Sequence, residues 1–465
     1  MDNRLIPIAV TAAICLAACS NDEVMEKNLD PKGNAIAFSA KVGHSTRAKE
    51  TTFENLGNFY VFGKSVHPGG SLYSAYLVGS ESGDTFTPET AVRNDATSGG
   101  TSTSTWSLKR EVYLPNGLTN AVFWAFADGK NGDGTILSSG TVKFDHNSGP
   151  QIIGYKSARA NLTDGAPSVW ADGYAQRDLV SAFGQAKKSD GTVSNNITLN
   201  FNHMLSEVII RAAQKGKQDD DHRVVKVKGA WIVNAFSKAD LSAGYNPTGQ
   251  NDSPAWSEFA EATQFGSYFK DAVDLSNYRG GDNGWVDLTT YSSNPLMLIP
   301  QEVTAWSPDR SSSFKTTTTA YIMLLCRVEL KHAGTTHEGQ TVDPDIHVEG
   351  QYHYHQQFPV TATYDPKAYG LTCIPVKIAW DRGKRYTCNL DICGAASGAG
   401  IYPPSYDVND IKPLVPNTDD ITIIPIPEGK HPGDVVLDAP IKFTVTVSGW
   451  ENGEWTDGGG NLEAK

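Results

Sequence analysis

Turn-forming residues punctuate this chain so often that its elements must be short. Runs rich in Thr, Val, Ile and aromatic residues are broken repeatedly by Gly, Asn, Asp, Ser and Pro, with 44 Gly and 24 Pro in 465 residues. The pattern predicts many short strands joined by turns and few long helices. At about 150 residues per domain the length suits three domains, and two large all-β domains suit it equally. A single small module is excluded. Hydrophobic residues make up 39% and aromatic ones 10%, enough to bury a core, so widespread disorder is not expected. Lys and Arg total 39 against 52 Asp and Glu, a net charge of −13, which argues against a general nucleic-acid binder.

The N-terminus is an address rather than part of the fold. Arg4 precedes a nearly continuous apolar run, Leu5 to Ala18, too short for a comfortable membrane span and suited to a secretory signal. It ends in Leu16-Ala17-Ala18-Cys19, which looks like a bacterial lipobox. Residues 1–18 are therefore predicted to be a signal peptide, Cys19 a lipidated N-terminus, and residues 19–33 a polar tether that holds the body off the bilayer. No later stretch reaches eighteen consecutive apolar residues. Cys15 leaves with the signal, and Cys326, Cys373, Cys388 and Cys393 remain in the exported body. They allow three pairings, of which at most one or two bridges are expected.

Residues 34–43 alternate cleanly, with Ile36, Phe38, Ala40 and Val42 on one face and Ala37, Ser39 and Lys41 on the other, the signature of a half-buried strand. Further strands are predicted at 58–63, 71–78, 106–114 and 121–127. The polar run Lys187 to Asn195 is taken as a domain boundary, giving β-sandwiches over 34–195 and 196–450 and a polar tail over 451–465. The second half opens with Ile197, Leu199 and Phe201 alternating, followed by His203 to Ile210, which reads as two strands or one strand bent at a bulge. Strands are also expected at 224–236, 295–300, 321–330, 357–363, 372–380 and 384–390. The last, at 441–450, points Ile441, Phe443, Val445 and Val447 one way.

Several segments share an order with a known family. The lipobox, the early strand ahead of Thr46-Arg47-Ala48, the central Gln176-Arg177-Asp178-Leu179-Val180-Ser181-Ala182, the segment Phe201-Asn202-His203-Met204-Leu205-Ser206, the strand end Ile299-Pro300-Gln301, Trp380 with Gly383-Lys384-Arg385-Tyr386-Thr387, and the closing strand to Trp450 together resemble the fimbrillin-like lipoproteins of Bacteroidales, the type V pilins. The resemblance implies two consecutive transthyretin-like β-sandwiches and a structural or adhesive pilus subunit at the cell surface. It also implies an outer-membrane lipoprotein precursor, removal of the first strand by an arginine-specific maturation protease, and polymerisation with other pilin subunits by strand exchange. Arg47 and Ala48 occupy the matching cleavage position. The 441–450 strand can serve as a donated strand or as the final strand of its own domain. The short, Gly-rich tail departs from a long apolar donor, which favours a tip or accessory subunit.

No Walker A, Gly-x-Ser-x-Gly, His-Glu-x-x-His or dinucleotide fingerprint occurs, so neither catalytic nor cofactor-binding residues are assigned and no enzyme is expected. Lys130 and Gly132 stand where a calcium loop starting at Asp128 would need oxygen ligands, leaving a tight turn. His332, His337, His347, His353 and His355 lie in one stretch, and His353 and His355 share a strand face, a spacing that can place two imidazoles on one metal. With no further ligand at a recognisable spacing, no metal is assigned. An alternative function is a lipid-anchored module for a surface glycan of host or bacterial origin, with Trp106, Trp170, Trp256, Trp306 and Trp455 stacking on sugar rings.

Overall fold

A computed structural model describes residues 35–42, 56–98, 101–114, 118–128, 136–157, 169–171, 177–189, 192–216, 223–245, 254–281, 284–288, 295–311, 313, 315, 317–335, 346–404 and 421–449. Within them the chain is nearly all β, as expected. The first fourteen strands are β1 (Ala37–Val42), β2 (Phe59–Val66), β3 (Leu72–Val78), β4 (Ser80–Ser82), β5 (Thr85–Thr87), β6 (Glu89–Ser98), β7 (Thr101–Leu108), β8 (Asn120–Ala127), β9 (Thr141–Asp145), β10 (Gly149–Lys156), β11 (Val169–Ala171), β12 (Val180–Ser189), β13 (Thr192–Val193) and β14 (Asn196–His203).

In the first unit the hydrogen-bond ladder runs all the way round. From β1 it passes to β7, β6, β2, β8, β12 and β14, and β14 returns to β1. A closed ladder leaves no edge at those strands. Its core gathers Phe38, Phe59, Trp106, Phe123, Val180, Leu199 and Phe201. Strand β8 explains its own unbroken apolar sequence: Ala121, Phe123, Ala125 and Ala127 face this core, whereas Val122, Trp124 and Phe126 face a second layer with Ile152, Met204, Leu205, Leu241, Tyr245, Met297 and Ile299. Both faces are buried, so alternation is lost.

The remaining strands are β15 (Ser206–Ala213), β16 (Arg223–Ser242), β17 (Ala255–Asp274), β18 (Val286–Asp287), β19 (Leu296–Leu298), β20 (Glu302–Val303), β21 (Tyr321–Ala333), β22 (Ile346–Glu349), β23 (Tyr352–Phe358), β24 (Ala368–Pro375), β25 (Ile378–Ala379), β26 (Lys384–Asp391), β27 (Thr422–Ile423) and β28 (Lys442–Gly449). A five-stranded sheet containing β18, β15, β26 and β28, with β19 beside β15, faces a ten-stranded sheet built on β17, β16, β21 and β23. Val208, Ile210 and Leu390 from the former meet Val225, Ile232, Phe265, Leu324 and Val328 from the latter.

The boundary expected after Asn195 is corrected. Strand β14 pairs with β12 and β1 in the first unit, and β10 and β11 pair with β16 and β17 of the second. The polar run that suggested a linker is the connection of a hairpin, in which Lys188 and Ser189 of β12 face Val193 and Thr192 of β13. The chain passes from first unit to second at Met204-Leu205, between β14 and β15. The segment 203–210 is thus two strands, one in each unit.

The layer between the units also buries Lys64. Its Nζ donates to the carbonyls of Tyr73 at 3.1 Å and Ser74 at 2.8 Å and sits 3.7 Å above the centre of the Tyr76 ring. His146 Nδ1 lies 3.0 Å away. A donating ammonium makes that nitrogen an acceptor, so the imidazole proton is on Nε2, which faces Glu81 Oε2 at 3.3 Å. Burial pushes the Lys64 ammonium down to about 8, whereas an unfolded lysine titrates near about 10.4. The unfolded chain holds the extra proton between those values, so this lysine makes stability rise with pH across that window. Unfolding at pH 7.5 and pH 10 should show the rise in the native chain and a smaller one in Lys64→Met; equal slopes would refute the assignment.

Candidate functional site

The first strand and its seat form the candidate site. Period-two alternation puts Ile36, Phe38 and Ala40 inward, and all three are buried. Phe38 is fully enclosed, its ring edge-on to Phe59 at 6.0 Å and Phe123 at 5.8 Å between centroids, a favoured aromatic arrangement. Phe59 in turn lies 5.2 Å from Phe201 and 5.9 Å from Trp106. On the opposite face Lys41 is half-exposed, while Ser39 is buried with Oγ 3.2 Å from Thr198 Oγ1. Val42 continues the ladder opposite Phe201.

The two seams that hold β1 are unequal. Along β14 it pairs in parallel over its whole length, from Ala37 opposite Asn196 to Val42 opposite Phe201. Along β7 it pairs only at Ala37 with Ser107 and Phe38 with Trp106. The entry to the strand is pinned separately: Ile36 N–H donates to Val112 O at 2.8 Å, Ala37 N–H to Asn195 O at 2.9 Å, and the Asn195 side-chain amide to Ala35 O at 2.9 Å. Sequence reasoning marked the strand but not its seat. Phe59, Phe123 and Phe201 each lie in predicted strands; only the register brings them to one ring.

Cys19, Arg47 and Ala48 lie outside the described residues. The other sequence-predicted strand, β28, is the outermost strand of the five-stranded sheet and pairs antiparallel with β26 from Lys442 opposite Asp391 to Gly449 opposite Lys384. Ile441 is buried, and Phe443, Val445 and Val447 are half-buried against the second core. In this chain it is seated in its own unit.

The family-like segments meet at the crossing between units. His203 Nδ1 and Asp178 Oδ2 are 2.9 Å apart and buried. Glu207, fully buried, accepts from Arg385 Nε at 2.5 Å, and Gly383 N–H donates to Leu205 O at 2.8 Å. The Gln301 side chain clips Phe236, accepting from its N–H at 2.7 Å and donating to its carbonyl at 3.0 Å. These polar residues are architecture: each satisfies a buried partner where four segments converge.

Two of the tryptophans proposed for sugar stacking, Trp106 and Trp306, are buried and not available to a sugar ring. Trp106 is buried in the first core and donates to Gly57 O at 2.6 Å; Trp306 is buried beside Tyr321. Trp256 packs on the layer between units and donates to Met204 O at 2.8 Å. The Trp170 side chain and Trp455 lie outside the described residues. Cys326, Cys373, Cys388 and Cys393 are buried free thiols, and burial raises the pKa of Cys326, Cys373 and Cys388, so they serve as core residues. In the histidine stretch, His353 and His355 share a face of β23 as predicted, and His332 of β21, directly opposite His353, joins them. Among the described residues no group of three or more His, Cys, Asp or Glu could hold a metal ion, and no helix is long and apolar enough to cross a membrane.

No protein-family model matches the chain, and no curated protein matches it. Among solved structures it is similar to a fimbrial protein from Bacteroides vulgatus, at 14% identity and a TM-score of 0.44 over 90% of this chain and 99% of that one. It is also similar to a fimbrial assembly protein from Parabacteroides distasonis, at 9% identity and a TM-score of 0.30 over 77% of this chain and 90% of that one.

Proposed function

We propose that this chain is a structural or adhesive subunit of a cell-surface pilus, exported as a lipoprotein through Cys19 and released for assembly when a protease cuts between Arg47 and Ala48. The observation that carries the reading is the place of β1. It precedes the cut, every other strand of the ring follows it, and its apolar face is sealed in the core. Burying Ile36 and Phe38 is worth about 1.5–3 kcal/mol each, a large part of the about 5–15 kcal/mol that keeps a domain folded. Once β1 is severed it is held by non-covalent contacts alone, and its departure exposes the edge of β14 and an aromatic groove beneath it. An exposed apolar edge recruits a strand, and an extended segment from a second subunit restores both ladder and core.

The acceptor half of this exchange is built into the first unit. The donor half is not evident in β28, which completes the second core, so the reading favours a subunit that accepts a strand, at the tip or as an accessory. The test is a mass measurement together with a gel. Surface-expressed protein should begin at Ala48 and form ladders that survive heating, and Arg47→Ala should abolish both. Monomers in native and variant alike would overturn the proposal. Binding of the uncleaved monomer to surface glycans would favour the lipid-anchored alternative.

A further inference from the structure

We propose that an extended segment of a second subunit, its apolar residues at every second position, lands first on the outer edge of β7 and displaces β1 from its Val42 end; the inference rests on the strand exchange proposed above. The ring of the first unit is closed at one level only. β7 pairs with β6 from Leu108 opposite Ala91 to Thr101 opposite Ser98, but with β1 only at Ser107 and Trp106. Past those two rungs, among the described residues, Ser39 to Val42 are paired on the β14 side alone and Thr101 to Thr105 on the β6 side alone. The strands part as a fork that opens toward the end of β1 from which the chain runs on to Arg47.

The amides that face the fork follow from strand alternation. Ala37 N–H donates to Asn195 O on the β14 side, so Phe38 turns its backbone to β7, and Ala40 and Val42 turn theirs to the fork. Phe38 is in register with Trp106, which aims the N–H groups of Ser104 and Ser102 into the same opening while Thr103 and Thr105 keep theirs for β6. The neighbouring strand obeys the same alternation: Arg93 N–H turns away from β7 to Asn58 Oδ1 at 3.1 Å. An open edge is normally blunted by a charge, a proline or a bulge. Thr101-Ser102-Thr103-Ser104-Thr105 has neither charge nor proline, its pairing with β6 runs without a bulge, and threonine suits a strand. The opposite end of β1 is held on both sides: Ala37 and Phe38 sit in both seams, Ile36 N–H reaches Val112 O, and the Asn195 side-chain amide holds Ala35 O. Peeling from Val42 breaks one rung at a time and evicts the small Ala40 before the enclosed Phe38. Peeling from Ile36 would break both seams and empty the aromatic site first. A strand that pairs antiparallel with β7 runs parallel with β14, as β1 does, so it enters the vacated register without turning round.

To separate this step from natural maturation, a recognition site for a sequence-specific viral protease is inserted after Ala48 of the full chain, and incorporation of a fluorescent peptide of residues 34–43 is followed by anisotropy after the cut. Incorporation should quicken as peptide concentration rises, because the newcomer lands before β1 has left. Ser104→Pro removes an N–H from the fork and spares the β6 ladder. It should slow incorporation by about ten-fold, the effect of one hydrogen bond lost from the pairing step; Ser104→Ala, which loses the same hydroxyl but keeps the N–H, should not. In the uncut native chain, hydrogen exchange should be fast at Ala40, Val42 and Ser104 and slow at Phe38 and Trp106, a reading that stands even if the proline variant does not fold. A rate independent of peptide concentration, equal rates in Ser104→Pro and Ser104→Ala, or uniform protection along β1 would overturn the landing edge and leave strand exchange in place. No incorporation into a fully cut chain would overturn both.

Discussion

Phe38→Ala is expected to destabilise the first unit by about 3–5 kcal/mol, the range for emptying an aromatic site in a packed core. The ring fills the space among Phe59, Phe123 and their neighbours, and the ladder around it cannot collapse without disturbing the seams on both sides of β1. Chemical denaturation should show the loss as a lower midpoint, and hydrogen exchange should place it at β14 and β7 rather than in the second unit. A loss under about 1 kcal/mol would mean that the strand is an ornament on a unit stable without it, and strand exchange would then have no driving force. On the proposed maturation, the same variant, if it folds, should be cut faster between Arg47 and Ala48.

Asp178→Ala should cost about 1–3 kcal/mol, since it removes the carboxylate that the buried His203 Nδ1 faces at 2.9 Å and breaks a buried hydrogen bond. His203 is 4% exposed at its side chain and Asp178 0%, so water cannot replace the lost carboxylate. The pair stands one residue before the crossing at Met204-Leu205, and Met204 N–H is itself bonded to Leu179 O at 2.8 Å. Combined with His203→Phe, the loss should be much smaller than the sum of the two single effects, as expected of residues that act together. Strict additivity would show that the two side chains do not depend on each other.

The strands easiest to foresee were those with one wet face. β14 and β28 alternate because each lines a core mainly on one side, β1 alternates in side-chain character although Ser39 of its other face is also buried, and the spans of all three are legible to within a few residues. Strand β17, twenty residues long, escaped notice for a physical reason. Its pairing with β16 slips at three places, between Val227 and Gly229, Val233 and Ala235, and Lys238 and Asp240, and Glu258 and Glu261 adopt positive φ. Each irregularity resets the inside–outside phase, so no single period runs through the segment. Gly266 carries no hydrophobic signal either, yet a Cβ there would sit 1.9 Å from Ala230 O; the close approach of the two strands depends on its absence.

The candidate site divides in the same way. Ile36, Phe38 and Ala40 were visible from their spacing, but the unequal seams beside them come from long-range register, which a local pattern does not encode. Asp178 and His203 sat in separate segments with nothing in either to announce the other. His332 was counted among nearby histidines, and its partnership with His353 rests on a cross-strand alignment twenty-one positions apart in the chain. The misplaced boundary has a related origin: a polar hairpin connection and a true linker share the same composition.

Parallel pairing gives the molecule a mechanical property. β14 and β15 follow one another through the two units, and each lies against a strand running its own way, β1 for the former and β26 for the latter. Under tension, a hairpin opens rung by rung from one end, whereas parallel neighbours pulled lengthwise in opposite directions must slip all their rungs at once. A filament whose joints copied the β1 arrangement would spread force over the whole ladder, so its resistance to pulling would grow with the number of residues in register.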